Sequence, residues 1–254
     1  MVRTHLIIAS YNVHGCSGAG GRDLARVARV IAETGADVVG LQEVGDLSGR
    51  DAPCQAQALA DATGMALVYA PNVVRGRARF GNAILSRWPV LSSQAYDLSI
   101  PRREPRGCVR ALLDLGRGAQ VHVFNVHLGL SFRERSQQTA RLLSDDILRD
   151  AALGFPAVVV GDFNLWLPGY VPRPLRRQLR DLAPTLKRAS PTYPSRWPLF
   201  RLDRIYLGPG VLPRWSRVHR SPLAIQASDH LPLIAGVELA RSGQVATAAR
   251  ASGA

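Results

Sequence analysis

Between residues 4 and 239 two hydrophobic periods alternate along the chain, and each predicts its own kind of element. Apolar or β-branched runs at 4–13, 37–42, 66–70, 82–87, 107–115, 120–127, 157–161, 203–207 and 232–239 read as strands. Leu24, Val27, Ala28 and Ile31 recur at helical spacing, and Gly35 closes that helix because glycine takes the left-handed cap without strain. Ser131-Phe132-Arg133-Glu134 is a capping-box pattern, in which serine and glutamate each satisfy a free N–H of the first turn. It predicts a helix to about Arg149 with Leu142, Leu143, Ile147 and Leu148 on the buried stripe. Strands outnumber helices. The runs 107–115 and 120–127 are too close for a helical crossover and must be antiparallel, so a mixed, layered α/β domain is expected in place of an all-parallel sheet.

With 254 residues, 46% of them hydrophobic and 20% charged, the chain can bury one sizeable core, and global disorder is excluded. One domain over residues 1–240 is expected. From Arg241 the apolar pattern stops, and 241–254 reads as a disordered tail. Phe155–Gly161 and Leu231–Val237, the longest apolar runs, fall far short of the roughly 20 residues that cross a bilayer. Leu6-Ile7-Ile8-Ala9 is too short for the apolar segment of a secretory signal, so a cytoplasmic protein is expected. Cys16, Cys54 and Cys108 are odd in number and widely spaced, which fits a reducing compartment.

Charge changes the picture more. Lys and Arg number 32 against 19 Asp and Glu, a net charge of +13, and Lys187 is the one lysine. Such a field concentrates polyanions, whose binding releases counterions. Nucleic acid, phospholipid headgroups and small phosphoesters all qualify, while an arginine-rich coding bias would give the same composition without any function.

The informative polar residues are those at the ends of apolar strands, where a β-rich scaffold presents reactive groups. Asn12 ends the first strand and Glu43 follows the second. His127 ends Val121–Val126, and Asp162 and Asn164 end Val158–Gly161. Asp203 lies in Arg201–Tyr206, and Asp229 and His230 in Ser228–Pro232. Histidines, carboxylates and amides gathered at strand ends are what metal-assisted hydrolysis requires. Hard oxygen donors such as Glu43 and Asp229, without grouped Cys or closely spaced His, point to magnesium or manganese and away from zinc.

Tyr11-Asn12, Gln42-Glu43, Gly81-Asn82 to Ser86-Arg87, Val126-His127-Leu128, Gly161-Asp162-Phe163-Asn164, Leu202-Asp203 and Ser228-Asp229-His230, in this order, resemble the endonuclease/exonuclease/phosphatase superfamily over about residues 4–239. That resemblance implies a four-layer α/β sandwich of two packed mixed β-sheets flanked by helices. It further implies a Mg²⁺- or Mn²⁺-dependent phosphoester hydrolase, in the first place a nuclease that cleaves nucleic acid by attack of water on phosphorus. A sphingomyelinase-like phospholipid esterase or a sugar-phosphate esterase is the alternative, and a catalytically silent phosphate-binding module is the third. Carried over by residue, Glu43 ligates the metal with Asn12 and Asp229 nearby. Asp162 orients or deprotonates water, Asn164 holds a phosphate oxygen, and His230, paired with Asp203, is base or electrostatic stabiliser. His127 resembles the acid histidine of the deoxyribonuclease branch. There a glutamate supports that histidine, yet residues 62–96 hold no Asp or Glu. The Asp162-Phe163-Asn164 form also differs from that of abasic-site endonucleases.

Singly, these residues have plainer readings. Asp162 can cap a turn, and Asp203 can be a surface partner of Arg201 or Arg204. His5, His14, His122 and His219 are taken as structural. The groups Arg75-Arg77-Arg79, Arg102-Arg103-Arg106 and Arg173-Arg176-Arg177-Arg180 read as solvated loops, although arginine forks suit phosphate. Trp166, Trp197 and Phe200 are core residues or stacking platforms for a base or headgroup.

Overall fold

The computed structural model describes residues 4–46, 54–76, 78–154, 156–166, 173–182 and 191–239. The strands are β1 (Thr4–Asn12), β2 (Ser17–Gly18), β3 (Gly21–Arg22), β4 (Val38–Asp46), β5 (Ala66–Arg75), β6 (Ala78–Ser86), β7 (Val90–Asp97), β8 (Gly107–Asp114), β9 (Gln120–His127), β10 (Ala157–Asp162), β11 (Arg180–Asp181), β12 (Asp203–Leu207), β13 (Val211–Val218) and β14 (Leu233–Leu239). The helices are α1 (Leu24–Thr34), α2 (Gln55–Thr63), α3 (Phe132–Leu142), α4 (Arg173–Gln178) and α5 (Pro222–Ala227). Two six-stranded mixed sheets run β13-β14-β1-β4-β6-β5 and β11-β12-β10-β9-β8-β7.

Strand alternation sorts the apolar residues into three layers. Val27, Val30 and Ile31 of α1, Ala56 and Leu59 of α2 and Ala224 of α5 pack on Ala9, Tyr11, Leu41 and Leu85 of the first sheet. Between the sheets lie Leu6, Ile8, Val121, Val123, Val158, Val160, Ile205 and Leu207. Phe124, Val126, Val159 and Tyr206 face outward from the second sheet onto Leu142, Ile147, Leu175 and Leu179. Helices, sheet, sheet and helices make the expected four-layer sandwich.

The middle layer is apolar at one end only. Continuing its alternation along β1, β9, β10 and β12 leads from Ile8 to Ser10 and Asn12, from Val123 to Asn125 and His127, from Val160 to Asp162 and from Ile205 back to Asp203. Gln42 Nε2 donates to Asn125 Oδ1 at 2.6 Å, and Asn125 Nδ2 donates to the carbonyls of Leu41 and Ala83 at 2.7 and 2.8 Å. This amide clamp ties the sheets together where the apolar layer ends. The sheets approach so closely there that a Cβ on Gly40 would lie 2.4 Å from Val160 Cγ2.

Helix α1 has its Asp23 cap on Arg26 N and Gly35 at φ 65°, as its sequence requires. The capping box of α3 is present, but that helix stops at Leu142 and does not reach Arg149. Ser144, Asp145 and Asp146 follow, poor helix formers whose charges oppose the dipole, and Arg141 turns back to bond Ser144 Oγ at 3.1 Å. Leu142, Leu143 and Ile147 are still buried, and Leu148 is half-buried. Cys16, Cys54 and Cys108 are all unpaired. Among the described residues no helix is long and apolar enough to cross a membrane. Residues 241–254 lie outside the described residues.

Burial against the sheet holds the His122 imidazole down at about 4, with Arg110 adding to the effect. The unfolded chain therefore binds this proton near pH 6.5 and the folded chain does not. The contribution to stability is complete above pH 6.5 and is lost as the pH falls towards 4. Urea midpoints at pH 7 and pH 4.5 are expected to drop less for His122→Gln than for the wild type; equal drops would show that another group governs the acid limb.

Candidate active site

Three neighbouring strands carry the site on a single rung. Asp162 pairs in register with His127 across the parallel β10–β9 ladder and with Asp203 across the antiparallel β10–β12 ladder. Side chains on one rung share a face, and this one looks into the polar end of the middle layer. His127, Asp162, Asn164, Asp203 and His230 are all buried.

Asp162 is the hub, at 1% exposure. Its Oδ1 accepts from Asn164 N at 2.9 Å and its Oδ2 from Asn12 Nδ2 at 3.1 Å. The turn of the plainer reading is thus present, but the second oxygen faces the site. His127 Nε2 and His230 Nε2 each stand 3.7 Å from that Oδ2, one on β9 and one on the turn before β14. Burial pushes the Asp162 carboxyl up to about 6, against the pull of His230 and with Asp203 adding to the rise.

Asp203 is fully buried and not a surface residue; Arg201 and Arg204 both bond Asp181 instead. Its Oδ2 takes a 2.6 Å bond from Thr192 Oγ1 and lies 2.8 Å from His230 Nδ1. Burial alone would neutralise His230, but the Asp203 carboxylate and its hydrogen bond, with Asp162 and Asp229, outweigh that and hold the imidazole up to about 10. His230 is the cationic histidine of the site. Tyr193, which also contacts Trp166 edge to face, buttresses its ring at 4.9 Å between centroids.

His127 is the opposite case. Its Nδ1 lies 3.4 Å from Arg106 Nη1 and its Nε2 3.3 Å from Asn164 Nδ2, which also donates to Leu128 O at 2.9 Å. Guanidinium and amide nitrogens only donate, so the nearest neighbour of each ring nitrogen disfavours an imidazolium, while the Asp162 and Glu43 carboxylates stand further off, 3.7 and 3.9 Å from Nε2. Burial, Arg106 and His230 all act to keep this ring neutral, well below the usual histidine range. The glutamate missing from residues 62–96 is matched by an arginine at His127. Arg106 itself is buried, which corrects its reading as a solvated loop residue. Register brings it there: Arg106 immediately precedes Gly107, which pairs with His127 across β8–β9.

Glu43 sits on a bulge, since Leu41 pairs with Ala83 and Val44 with Gly81, leaving two residues opposite one. Its φ of 56° is rare for a residue with a side chain, and such strain collects at functional positions. Glu43 Oε1 accepts from Asn12 Nδ2 at 2.9 Å, and Asn12 Oδ1 accepts from His14 N at 3.0 Å. Asn12 therefore offers its amide nitrogen, not its oxygen, to the carboxylates. Asp229 stands on the rim, half-exposed, with Oδ1 3.7 Å from His14 Nδ1. Among the described residues no three His, Cys, Asp or Glu converge into a ready-made metal cage. Of the aromatics, Trp166 packs on Tyr193 and Phe200, while Trp197 is 73% exposed.

The profile of the Endonuclease/Exonuclease/phosphatase family matches residues 9–230, and the chain belongs to that family. The uncharacterized protein YbhP of Escherichia coli K12 is 33% identical over 215 residues, which are 80% of this chain and 81% of YbhP. The mannosyl-6-phosphatase Bt3783 of Bacteroides thetaiotaomicron superposes with a TM-score of 0.71 at 18% identity, covering 91% of this chain and 99% of that one. TDP2 of D. rerio, complexed with a single-strand DNA product, gives 0.69 at 20% identity, covering 92% and 99%. The fold is the phosphoesterase fold of that family.

Proposed function

We propose that the chain is a divalent-metal-dependent phosphodiester hydrolase acting on nucleic acid, with residues 1–240 as its catalytic domain. The observation that carries this is the rung of His127, Asp162 and Asp203, with cationic His230 held against it. Glu43, with Asp229 on the rim, would hold Mg²⁺ or Mn²⁺; these are hard oxygen donors suited to an ion that keeps much of its water. When bound, the ion supplies Lewis acidity at a phosphoryl oxygen.

Asp162 orients the attacking water and takes its proton, with Asn12 and Asn164 fixing both carboxylate oxygens. The His230 imidazolium stabilises charge that grows on the phosphoryl oxygens, and Asp203 keeps it charged and aimed. A neutral His127 contributes a hydrogen bond to substrate in place of the acid role implied by the deoxyribonuclease branch. Exposed Arg102, Arg103 and Arg133 favour a polyanion. The unpaired cysteines favour a cytoplasmic setting.

Mannosyl-6-phosphatase activity on the same fold supports a second reading, hydrolysis of a sugar-phosphate or phospholipid-headgroup ester. One panel separates the readings. EDTA is expected to abolish activity and Mg²⁺ or Mn²⁺ to restore it; full activity without metal, or none with it on DNA, RNA, phospholipid and sugar phosphate, would overturn the hydrolase reading. Binding of DNA is expected to weaken steeply with salt, by about 0.9 in log K per log unit of salt for each phosphate contacted on a duplex. A flat salt dependence alongside efficient turnover of a small ester would move the assignment to the second reading.

A further inference from the structure

Left-handed backbone gathers in two short segments beside the site: His14, Gly15 and Cys16 at φ 47°, 61° and 58°, and Glu43 and Gly45 at 56° and 130°. These segments continue β1 and β4 beyond the last pair of their ladder, Asn12 with Gln42. Such strain persists only where the surroundings over-determine it. One side chain spans both segments. Gln55, the first residue of α2 and buried, accepts from Gly45 N through Oε1 at 3.1 Å and donates from Nε2 to Gly15 O at 3.1 Å. With an N–H on one side and a carbonyl on the other, the orientation of this amide is fixed by its partners. The bulge is held elsewhere by Val13 N on Gln42 O at 3.0 Å, by Asn12 Nδ2 on Glu43 Oε1 at 2.9 Å and by Tyr69 Oη on Val44 O at 3.2 Å. It has no slack towards β6, since a Cβ on Gly45 would lie 2.0 Å from Arg79 O.

We propose that Gln55 is a positioning residue for the metal site: by bracing the β4 bulge against the His14–Cys16 turn, its amide sets where the Glu43 carboxylate stands. This rests on the reading of Glu43 as the ligand of the divalent ion. Gln55 acts through the backbone, bonding Gly45 two residues past Glu43 and Gly15 three residues past Asn12. Without that brace Glu43 can leave its left-handed conformation, and its carboxylate then moves off the Asn12 amide. Packing does not account for the glutamine. Ala56, Leu59 and Ala60 supply the apolar contacts of α2, and a buried amide is costly unless both of its ends are bonded. Both ends are bonded here, each to a loop that carries site residues.

Titration of the full chain with Mn²⁺, followed by the electron paramagnetic resonance of the free ion, tests this apart from turnover. Gln55→Met keeps the length of the side chain and deletes both bonds. It is expected to weaken Mn²⁺ by about tenfold or more, as loss of an outer partner of a metal ligand does, and to raise the Mg²⁺ concentration for half-maximal activity in step. At saturating metal kcat is expected to fall by less than about threefold, because Asp162 and His230 are untouched. Leu59→Ala, on the same helix and fully buried, is the control for α2 packing: it is expected to lower Tm and leave Mn²⁺ affinity unchanged. Equal weakening of Mn²⁺ in both variants would make helix packing the cause, and unchanged affinity in Gln55→Met would make the bulge self-supporting; either overturns the proposal. Should Gln55→Met fold poorly, Gln55→Asn, too short to reach both loops, decides by the same titration. Turnover with Mn²⁺ affinity independent of Gln55 overturns this proposal and leaves the hydrolase reading standing. Mn²⁺ binding that depends on Gln55 in a protein that hydrolyses no ester does the reverse.

Discussion

Asp162→Asn is expected to lower kcat by about 10²–10⁴-fold, the span of a lost general base, while Tm stays within a few degrees of the wild type. The activity loss follows from position, because Oδ2 is the atom on which Asn12, His127 and His230 converge. The stability expectation follows from burial. A carboxylate at 1% exposure is held in the interior against its own desolvation, and its removal relieves that cost. Asparagine keeps an oxygen for Asn164 N but loses the acceptor that serves Asn12, so gain and loss roughly offset. Thermal melts beside steady-state kinetics check both halves. Near wild-type turnover would remove Asp162 from the reaction, and a Tm loss above about 10 °C would mean that its hydrogen bonds outweigh its buried charge.

Most of this site was legible because its residues obey strand alternation. Asn12, His127, Asp162 and Asp203 occupy positions that the apolar pattern assigns to the middle layer, so a polar residue there must be either satisfied or reactive. The elements that escaped detection lack such a pattern. Strand β7 is an edge strand whose residues are mostly exposed on both faces, and β13 is an edge strand interrupted by Pro213. Helix α2 buries only Gln55, Ala56, Leu59 and Ala60, a stripe too small and weakly apolar to stand out. Arg106 escaped for a different reason. An arginine among Arg102, Arg103 and Glu104 has the local composition of a solvated loop, and only the β8–β9 register brings it to His127. The opposite charge states of the two histidines are likewise tertiary, since they depend on Arg106 and Asp203, each distant in sequence from its histidine.

Asp203→Asn is expected to cost as much activity as Asp162→Asn and far more stability, which separates two buried aspartates that look alike in sequence. On the proposed mechanism Asp203 acts through His230, whose Nδ1 lies 2.8 Å from its Oδ2, and replacing the carboxylate in comparable carboxylate–histidine pairs costs up to about 10⁴ in kcat. The stability expectation differs from that at Asp162 because Asp203 is the closer counter-charge of the buried imidazolium, at 2.8 Å from His230 Nδ1 against 3.7 Å between Asp162 Oδ2 and His230 Nε2. Removing one partner of a buried pair costs about 3–5 kcal/mol, or roughly 10 °C in Tm for a domain of this size. Thr192→Val serves as the companion variant. It deletes only the 2.6 Å hydroxyl bond to Asp203 Oδ2 and leaves the charge pair in place, so a smaller loss of about 1 kcal/mol and most of the activity are expected. Wild-type kcat in Asp203→Asn would dissociate Asp203 from catalysis. A Tm no lower than that of Thr192→Val would show that His230 is neutral without its partner and that the cation of the site lies elsewhere.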